Sequence, residues 1–259
     1  MARLRNKVAI ITGGSKGLGE ANARLFIKEG ATVIITDIDE KNGHKVAKEI
    51  GTRAEFYKQD VRDEDGWKSL IAQVVKDHGK LDILVNNAGV VEAGTIENQK
   101  TEDYRFVMAV SADGTFFGSK YAIAAMKETG GGSIINMASI ASIQGAPNVL
   151  AYSAAKGAVE AMTRTIAAHC AVNKYGIRCN SVHPSAIMTP MVQGIREKIS
   201  KANIPNAKES KVVEGNKIGD PIDIANTVLF LASDESRFIN GAQIRVDNAI
   251  SIVSGTVPE

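Results

Sequence analysis

Residues 8–19 read Val8-Ala-Ile-Ile-Thr12-Gly13-Gly14-Ser15-Lys16-Gly17-Leu18-Gly19, a short apolar strand that runs directly into a glycine-rich loop. A helical pattern follows and stops at Gly30. In such a strand–loop–helix unit, backbone N–H groups at the start of the helix can hold a phosphate group. Glycines permit the tight turn and the close approach of a pyrophosphate to the backbone. The ligand contacts expected from this loop are Gly13, Ser15, Lys16, Gly17, Leu18 and Gly19.

The spacing of the glycines indicates which class of phosphate-containing ligand the loop could bind. Gly13-x-x-x-Gly17-x-Gly19 differs from the common Gly-x-Gly-x-x-Gly of dinucleotide-binding loops. A nucleoside-triphosphate loop is disfavoured, because Glu20 stands where that motif requires lysine. A glycine-rich turn often binds no ligand at all, so the next strand decides whether this loop belongs to a dinucleotide site.

The second apolar strand, 32–36, ends in Asp37, twenty residues after Gly17. A ribose-binding acid of a dinucleotide fold belongs at this place, and Ile38 follows it as a further expected contact. A carboxylate here repels a 2′-phosphate, which favours NAD(H) over NADP(H). Lys16 acts in the opposite direction, since it can attract a phosphate. We give Asp37 more weight, because a buried charge clash costs more than a solvated lysine returns.

Strands and helices continue to alternate along the chain. A helix is predicted at about 41–50, a strand at 53–58, an amphipathic helix around Trp67 and a strand at 81–85. Further strands are predicted at 133–138, 177–182 and 243–246, with long helices at about 101–127 and 150–174. This order predicts one α/β domain, 1–259, built on a single doubly wound parallel sheet of about seven strands with helices on both faces. Ligands of such sheets lie at the carboxyl ends of the strands.

Residues 136–156 hold the side chains best suited to chemistry. Tyr152 and Lys156 are four residues apart, on one face of a predicted helix, and Ser139 precedes them on a loop. A phenol, an ammonium and a hydroxyl together suit proton transfer to or from an alcohol oxygen. Free tyrosine has a pKa of about 10, and we expect the neighbouring ammonium to lower it. A tyrosine and a lysine at this spacing are, taken alone, more often a surface pair.

Composition excludes several classes of function. The net charge is +2, from 31 basic and 29 acidic side chains without blocks, so nothing indicates nucleic acid or an anionic membrane as partner. No apolar run reaches the roughly 20 residues of a membrane span. Cys170 and Cys179 are expected in the core, and the four histidines show no metal-ligand spacing. We therefore expect no metal site and a cytoplasmic location. Residues 191–216 are polar and irregular, which predicts a substrate lid at about 188–216.

The motifs together resemble the short-chain dehydrogenase/reductase family over nearly the whole chain. The resemblance rests on Thr12-Gly13-x-x-x-Gly17-x-Gly19, Asp60-Val61, Asn86-Asn87-Ala88-Gly89, Ser139, Tyr152-x-x-x-Lys156 and Pro184 with Thr189-Pro190. Each motif is weak alone, but their order and spacing are specific. The resemblance implies a Rossmann fold and an NAD(P)-dependent alcohol dehydrogenase or ketone reductase.

The resemblance also implies roles for individual residues. Tyr152 would be the acid/base at the substrate oxygen, Lys156 would lower its pKa and bind the nicotinamide ribose, and Ser139 would polarise the carbonyl. Gln144 would join Ser139 and Tyr152 at the substrate. Asn86 would tie adjacent strands together. The implied cofactor contacts beyond the glycine loop are Asp37, Ile38, Asp60, Val61, Asn87, Ala88, Gly89, Tyr152, Lys156, Ile187 and Thr189.

Three positions depart from the family pattern. Ser111 stands in the long helix where asparagine is usual, and it is expected to take part more weakly in a proton relay from Lys156. Ser185 follows Pro184 where glycine is usual. Asn248-Ala249 stands where Gly-Gly is usual, near a contact between subunits that the resemblance implies.

The leading hypothesis is an NAD(H)-dependent oxidoreductase that interconverts a secondary alcohol and a ketone. Its substrate is expected to be a cyclic or hydrophobic small molecule such as a steroid, as in hydroxysteroid dehydrogenases. The alternatives are a 3-oxoacyl-thioester reductase and a non-catalytic dinucleotide-binding regulator. Asp37 counts against the first alternative, and the intact set of Ser139, Tyr152 and Lys156 counts against the second.

The long helices predict self-association. Apolar residues occur on more than one face of the helix at 101–127, and Gly114 and Gly118 would let a partner helix approach closely. A large exposed apolar patch is rare on soluble monomers, and pairing across a two-fold axis would cover it. The residues therefore predict at least a homodimer. The resemblance adds a second contact through the last strand, which implies a homotetramer.

Overall fold

A seven-stranded, fully parallel sheet forms the centre of the computed structural model, which describes residues 2–201 and 218–252. The strands follow the order β3-β2-β1-β4-β5-β6-β7 across the sheet. Because the strand order reverses between β1 and β4, a crevice opens there at the carboxyl ends of the strands. The strands are β1 (Val8–Thr12), β2 (Thr32–Asp37), β3 (Ala54–Lys58), β4 (Ile83–Asn86), β5 (Gly132–Met137), β6 (Ile177–Pro184) and β7 (Gln243–Val246).

Helices cover both faces of the sheet, which confirms the predicted doubly wound fold. One apolar core lies between the sheet and α1, α2 and α8, and a second lies between the sheet and α3, α5 and α6. Neighbouring strand residues such as Ile10 and Ile11 enter opposite cores, so the central strands β1 and β4 are apolar except at their last residue. The helices are α1 (Gly17–Lys28), α2 (Glu40–Ile50), α3 (Glu64–His78), α4 (Thr101–Met108), α5 (Gly114–Met126), α6 (Leu150–Val172), α7 (Pro190–Lys201) and α8 (Pro221–Ala232).

The long helix predicted at 101–127 is interrupted by a π-helical segment, Ala109–Asp113, between α4 and α5. A π segment inserts a residue and widens the helix locally, and such segments are frequent at functional sites. Ser111 lies inside it, and its carbonyl accepts a hydrogen bond from Thr115 Oγ1 at 2.8 Å. The amino-acid pattern does not indicate this break, because the apolar spacing on both sides is helical.

The two glycines of α5 face the interior of the same chain. A Cβ built on Gly114 would lie 2.8 Å from Val61 Cγ2, and one built on Gly118 would lie 2.8 Å from the Trp67 ring. Gly118 therefore lets α5 pack closely on α3. The prediction that these glycines admit a partner helix is wrong, since both are buried within the fold. Other apolar side chains of this region remain exposed, among them Tyr104, Phe106 and Phe116.

The predicted lid is only partly irregular. Residues 190–201 form α7, so the prediction of irregular structure from 191 onward is wrong for this part. Proline at the first helical position suits a helix start, because its missing N–H has no partner there. Residues 202–216 of the predicted lid lie outside the described residues. Within the described parts of the chain, no helix combines the length and apolarity needed to cross a membrane.

Candidate active site

A cavity of about 560 Å³ lies in the crevice at the carboxyl ends of the strands. Most of the residues predicted for the site share this cavity, although they come from distant parts of the chain. Those that line it are Gly13, Lys16, Gly17, Leu18, Asp37, Ile38, Asp60, Val61, Asn87, Ala88, Gly89, Ser139, Tyr152, Lys156, Ile187 and Thr189. Ser15, Gly19, Ser111 and Gln144 were also predicted but are not part of the wall.

The glycine loop has the geometry of a cradle. Gly17 has a φ of +59°, in the left-handed region, and opens α1 at the cavity. A Cβ on Gly17 would project toward Thr189, 3.5 Å from its methyl carbon. Gly19 packs against the Gly13 carbonyl so closely that no side chain fits. Gly19 therefore shapes the loop from behind, while Gly13 and Gly17 form the surface.

Asp37 is held rigidly at the end of β2. Its Oδ2 accepts hydrogen bonds from Ser15 N at 3.1 Å and Ser15 Oγ at 2.5 Å, and its Oδ1 accepts one from Asp39 N at 3.0 Å. Ser15 is almost fully buried. In this structure Ser15 supports Asp37 from behind, instead of facing the cavity as predicted. Lys16 lines the same cavity, and its side chain is exposed.

The far end of the cavity contains a charged pair that the sequence did not predict. The Asp60 carboxylate accepts hydrogen bonds from the Arg62 guanidinium, which lowers the pKa of Asp60. The same guanidinium lies 5.5 Å from the centre of the Phe106 ring. The Val61 carbonyl accepts a hydrogen bond from Trp67 Nε1 at 3.0 Å, which joins this wall to the fully buried indole.

Thr12 ties the glycine loop to the loop after β4. Its hydroxyl oxygen accepts from Ala88 N at 2.9 Å and from Asn87 N at 3.0 Å. Asn87 Nδ2 donates to the Thr12 carbonyl at 2.8 Å. Asn86 Nδ2 instead donates to Asn136 Oδ1 at 2.9 Å, which confirms its expected role between strands. The polar residues after β4 thus fix the floor of the cavity.

Ser139, Tyr152 and Lys156 meet at the other end of the cavity. Ser139 begins a short 3-10 turn, Ile140–Ser142, and its Oγ accepts from Ala141 N at 3.2 Å. Tyr152 and Lys156 lie on successive turns of α6, with Lys156 Nζ 5.5 Å from the centre of the Tyr152 ring. Lys156 Nζ donates to the Met137 carbonyl at 2.6 Å. That carbonyl anchors the lysine, and a backbone group of this kind leaves no signal in the sequence.

Burial controls the protonation of the Tyr152–Lys156 pair. It lowers the pKa of Lys156 to about 8. Burial also raises the pKa of Tyr152. A hydrogen bond with Ser139 lowers that pKa, but by a smaller amount. The expected lowering of the Tyr152 pKa by the ammonium is therefore absent here, since Lys156 points to Met137 and desolvation dominates. The phenol keeps its proton near neutral pH.

Ser111 lies behind the wall, fully buried in the π segment. Its Oγ accepts a hydrogen bond from Val90 N at 3.3 Å. A Cβ built on Gly89 would lie 3.4 Å from both Ser111 Oγ and Lys156 Nζ. The serine hydroxyl and the ammonium therefore flank the same glycine, although Ser111 contacts the cavity only through its neighbours.

Gln144 is turned away from the cavity. Its Nε2 donates to the Ile250 carbonyl at 3.2 Å, which links the loop after β5 to the segment after β7. The predicted substrate contact is thus replaced by a contact within the chain. Apolar wall residues that were not predicted are Val90, Phe106, Val110, Met137, Met191 and Val192. Single apolar residues look the same in a core and in a substrate pocket, so no sequence signal separates them.

The two other departures from the family pattern, at Ser185 and at Asn248-Ala249, differ in their effect on the backbone. Ser185 lines the cavity and does not have a positive φ, so serine fits there without backbone strain. Asn248 and Ala249 have φ values of +48° and +66°, the conformation that Gly-Gly would adopt freely. Asparagine tolerates this region, whereas alanine is strained in it. Among the described residues, no group of three His, Cys, Asp or Glu side chains is arranged to hold a metal ion.

Comparison with known proteins identifies a matching family model and several relatives of this chain. A family model described as enoyl-(acyl carrier protein) reductase matches residues 13–250. The chain is 42% identical over 249 residues to a 3-beta-hydroxysteroid dehydrogenase of Comamonas testosteroni, covering 96% of this chain and 97% of that protein. It is also 42% identical over 251 residues to an NADP-dependent (R)-specific alcohol dehydrogenase of Lentilactobacillus kefiri, covering 95% and 96%.

A solved structure has the same fold. The crystal structure of levodione reductase superposes with a TM-score of 0.90 at 28% sequence identity, covering 97% of this chain and 100% of that one. A cyclopentanol dehydrogenase of Comamonas sp. is 35% identical over 250 residues, covering 95% of this chain and 98% of that protein.

Proposed function

Because the chain belongs to the short-chain dehydrogenase/reductase family, we propose that it interconverts a secondary alcohol and a ketone with NAD(H) as the hydride carrier. It is an oxidoreductase that acts on CH–OH groups, in line with its alcohol and hydroxysteroid dehydrogenase relatives. The observation that carries the proposal is the convergence of Ser139, Tyr152 and Lys156 in the cavity that begins at the glycine loop.

The residues present fit a nicotinamide dinucleotide. Gly17 has a positive φ and carries no side chain. The pyrophosphate would lie in the space that a side chain there would occupy. Asp37 would hold the adenosine ribose, Asp60 and Val61 the adenine, and Ile187 and Thr189 the carboxamide. Asn87, Ala88 and Gly89 would lie behind it, and Tyr152 and Lys156 would contact the nicotinamide ribose. The bound cofactor supplies the hydride.

Tyr152 serves as the acid/base at the substrate oxygen. Burial raises its pKa, so the phenol is protonated near neutral pH and can donate to a ketone oxygen as charge develops there. Ser139, whose hydroxyl interacts with the phenol, donates a second hydrogen bond to the same oxygen. Alcohol oxidation needs the phenolate and is favoured at higher pH.

Lys156 is anchored by the Met137 carbonyl, and from there its ammonium would bind the nicotinamide ribose. Because its pKa is about 8, the ammonium persists at neutral pH and is lost in mildly alkaline solution. Ser111, whose Oγ lies on the other side of Gly89, would take part in a proton relay from Lys156, more weakly than the usual asparagine.

NAD(H) is the proposed cofactor form. The anchored Asp37 carboxylate has no freedom to move away from a 2′-phosphate, since both of its oxygens accept hydrogen bonds. Lys16 is exposed and solvated, so it offsets little of this repulsion. One relative at 42% identity is named as NADP-dependent, so the cofactor form needs a direct test. Comparing kcat/KM for the two cofactors tests the choice, and equal values contradict it.

The substrate is proposed to be a cyclic or hydrophobic molecule such as a steroid. Apolar side chains line the same cavity as Ser139 and Tyr152, including Val90, Met191 and Val192. Three relatives are named for a steroid, for cyclopentanol and for trans-4-hydroxycyclohexanecarboxylate. A pocket of this kind takes up an apolar ring readily.

A substrate panel tests the proposal. The absorbance of reduced nicotinamide is followed with steroid alcohols, simple cyclic alcohols, the matching ketones and a 3-oxoacyl thioester. We expect turnover with the cyclic alcohols and ketones. Turnover with the thioester alone favours the 3-oxoacyl reductase alternative. Cofactor binding without turnover of any compound favours a dinucleotide-binding regulator.

The protein is proposed to be a homotetramer, and at least a homodimer. Tyr104, Phe106 and Phe116 are more than one-third exposed around α4 and α5, so this region still offers an apolar surface despite the inward glycines. Light scattering tests this: a single species near 27.5 kDa contradicts any assembly, and a stable dimer contradicts only the tetramer. The two cysteines are free and buried, which supports the reducing cytoplasm as the proposed location.

A further inference from the structure

His183, near the end of β6, contacts the turn that carries Ser139. The side chain is completely buried. Its Nδ1 lies 3.2 Å from the Ser139 carbonyl oxygen and 3.1 Å from Ser142 Oγ. Its Nε2 lies 2.8 Å from Ser181 Oγ. Both ring nitrogens therefore have a polar partner.

These contacts determine the tautomer of His183. A carbonyl oxygen only accepts, so a hydrogen bond between Nδ1 and the Ser139 carbonyl requires the ring hydrogen on Nδ1, and this is the tautomer we assign. Ser142 Oγ also donates to this carbonyl, at 2.7 Å. Nε2 is then an acceptor, and the Ser181 hydroxyl supplies its hydrogen. The opposite tautomer would turn a nitrogen lone pair toward the carbonyl oxygen at 3.2 Å.

The charged groups around His183 are compatible with a neutral ring. Burial lowers its pKa, and the charges of Arg245 and Lys156 act in the same direction. The hydrogen bond to Ser139 and the charge of Glu160 act against them. The effects that lower the pKa of His183 dominate, so the neutral ring with its hydrogen on Nδ1 is the form present near neutral pH.

The sheet does not need this side chain for its own pairing. Main-chain pairing already joins β5 to β6 from Gly132 to Met137, and Ala138 N continues it with a bond to the Val182 carbonyl at 2.8 Å. The backbone turns away immediately afterwards, at Ser139. The His183 ring is thus the connection from β6 to the first residue beyond the ladder.

We propose that His183 is a positioning residue, which holds the Ser139 carbonyl through Nδ1–H and so directs the Ser139 hydroxyl toward the Tyr152 phenol. This rests on the proposed function, since it concerns the same proton-transfer site. Ser139 Oγ also caps the turn through Ala141 N, so a rotation of the Ser139 peptide moves the hydroxyl. Displacements of about 1 Å at a reacting group can cost about 10²-fold in rate.

Two substitutions of similar size separate positioning from packing. The amide nitrogen of asparagine has the reach of Nδ1, and that of glutamine has the reach of Nε2. His183→Asn keeps a donor for Ser139, whereas His183→Gln keeps only the contact with Ser181. We expect kcat of H183N to stay within about threefold of wild type. Loss of a net hydrogen bond of about 1.4 kcal/mol predicts a kcat about tenfold lower for H183Q.

Three further measurements make the result decisive. The Kd for NADH and the thermal midpoint should be similar in the two variants, because both remove the same buried ring and neither alters the glycine loop. The pKa of Tyr152 is measured as the ultraviolet difference between each protein and its Tyr152→Phe counterpart. It should rise in H183Q and stay unchanged in H183N, since the Ser139 hydrogen bond lowers it.

The outcomes distinguish this proposal from the proposed function. Equal kcat and equal Tyr152 pKa in the two variants overturn the proposal that His183 positions Ser139. A loss of kcat that only parallels a loss of thermal midpoint overturns it as well. If wild type turns over no compound of the panel, the proposed function fails. The Tyr152 titration still decides whether His183 positions Ser139 in that case.

Discussion

Substituting the buried Lys156 by methionine should change how protein stability depends on pH. Its pKa falls from 10.5 to about 8 on burial. Below pH 8 both the folded and the unfolded protein hold the proton, and the folded state bears the whole cost of the buried charge. Between about pH 8 and 10.5 the unfolded chain keeps the proton that the folded protein releases. The free energy of unfolding of the wild type therefore rises across this window, by about 2.5 kcal/mol by pH 10.

Lys156→Met removes this dependence. At pH 7 the variant escapes the cost of the charge but leaves the Met137 carbonyl without its donor, a loss of roughly 1–3 kcal/mol. The absolute difference at pH 7 is therefore small. Its change with pH is the informative quantity, because other titrating groups are common to both proteins and cancel. We expect wild type to gain about 2.5 kcal/mol relative to K156M between pH 7 and 10.

Urea unfolding followed by circular dichroism at fixed protein concentration measures this change. Lys68→Met is the matched control, since it makes the same substitution on an exposed position of α3. The difference between K68M and wild type should not vary over the same range. A flat difference between K156M and wild type would refute a depressed lysine pKa, and with it the reasoning that desolvation governs the pair with Tyr152.

Further predictions concern the proton donor, the cofactor and the strained turn. Tyr152→Phe should lower kcat by about 10²- to 10⁴-fold while the Kd for NADH changes little; substantial turnover by the folded variant contradicts the role of the phenol. Asp37→Ala should shift the ratio of kcat/KM for NAD and NADP toward NADP by about tenfold, or about 1.4 kcal/mol, and an unchanged ratio rules out Asp37 as the discriminating group. Ala249→Gly should raise the free energy of unfolding by about 1 kcal/mol, because glycine adopts a positive φ without strain; an unchanged or lower urea midpoint contradicts the assigned strain.

The sequence was sufficient for the sheet, because strands buried on both faces are apolar throughout and end in glycine or polar residues. It was also sufficient for the grouping of Ser139, Tyr152 and Lys156 near one cavity, since strand ends of a parallel sheet converge. It failed for Gly114 and Gly118. Spacing along a helix shows that two glycines share a face, but not whether a partner or the chain's own Trp67 covers that face.

The chemistry of the site was predicted less well than its location. The effect of Lys156 on Tyr152 depends on where the ammonium points, and a backbone carbonyl at Met137 decides that. Ser15 and Gln144 have the right residue types for ligand contacts, yet each meets a closer partner within the chain, Asp37 and the Ile250 carbonyl. Competition between internal and external partners is a matter of distances, which residue order does not contain.

The contact between Trp67 and Val61 gives the molecule a built-in optical reporter. The chain contains one tryptophan, so its fluorescence comes from a single place. That indole is shielded from water, and it donates to the carbonyl of a residue on the cavity wall. Reduced nicotinamide absorbs light where tryptophan emits, so occupancy of the cavity should quench this emission by energy transfer. Each variant above can then be titrated with dinucleotide in the absence of any substrate, and a loss of affinity can be told apart from a loss of chemistry.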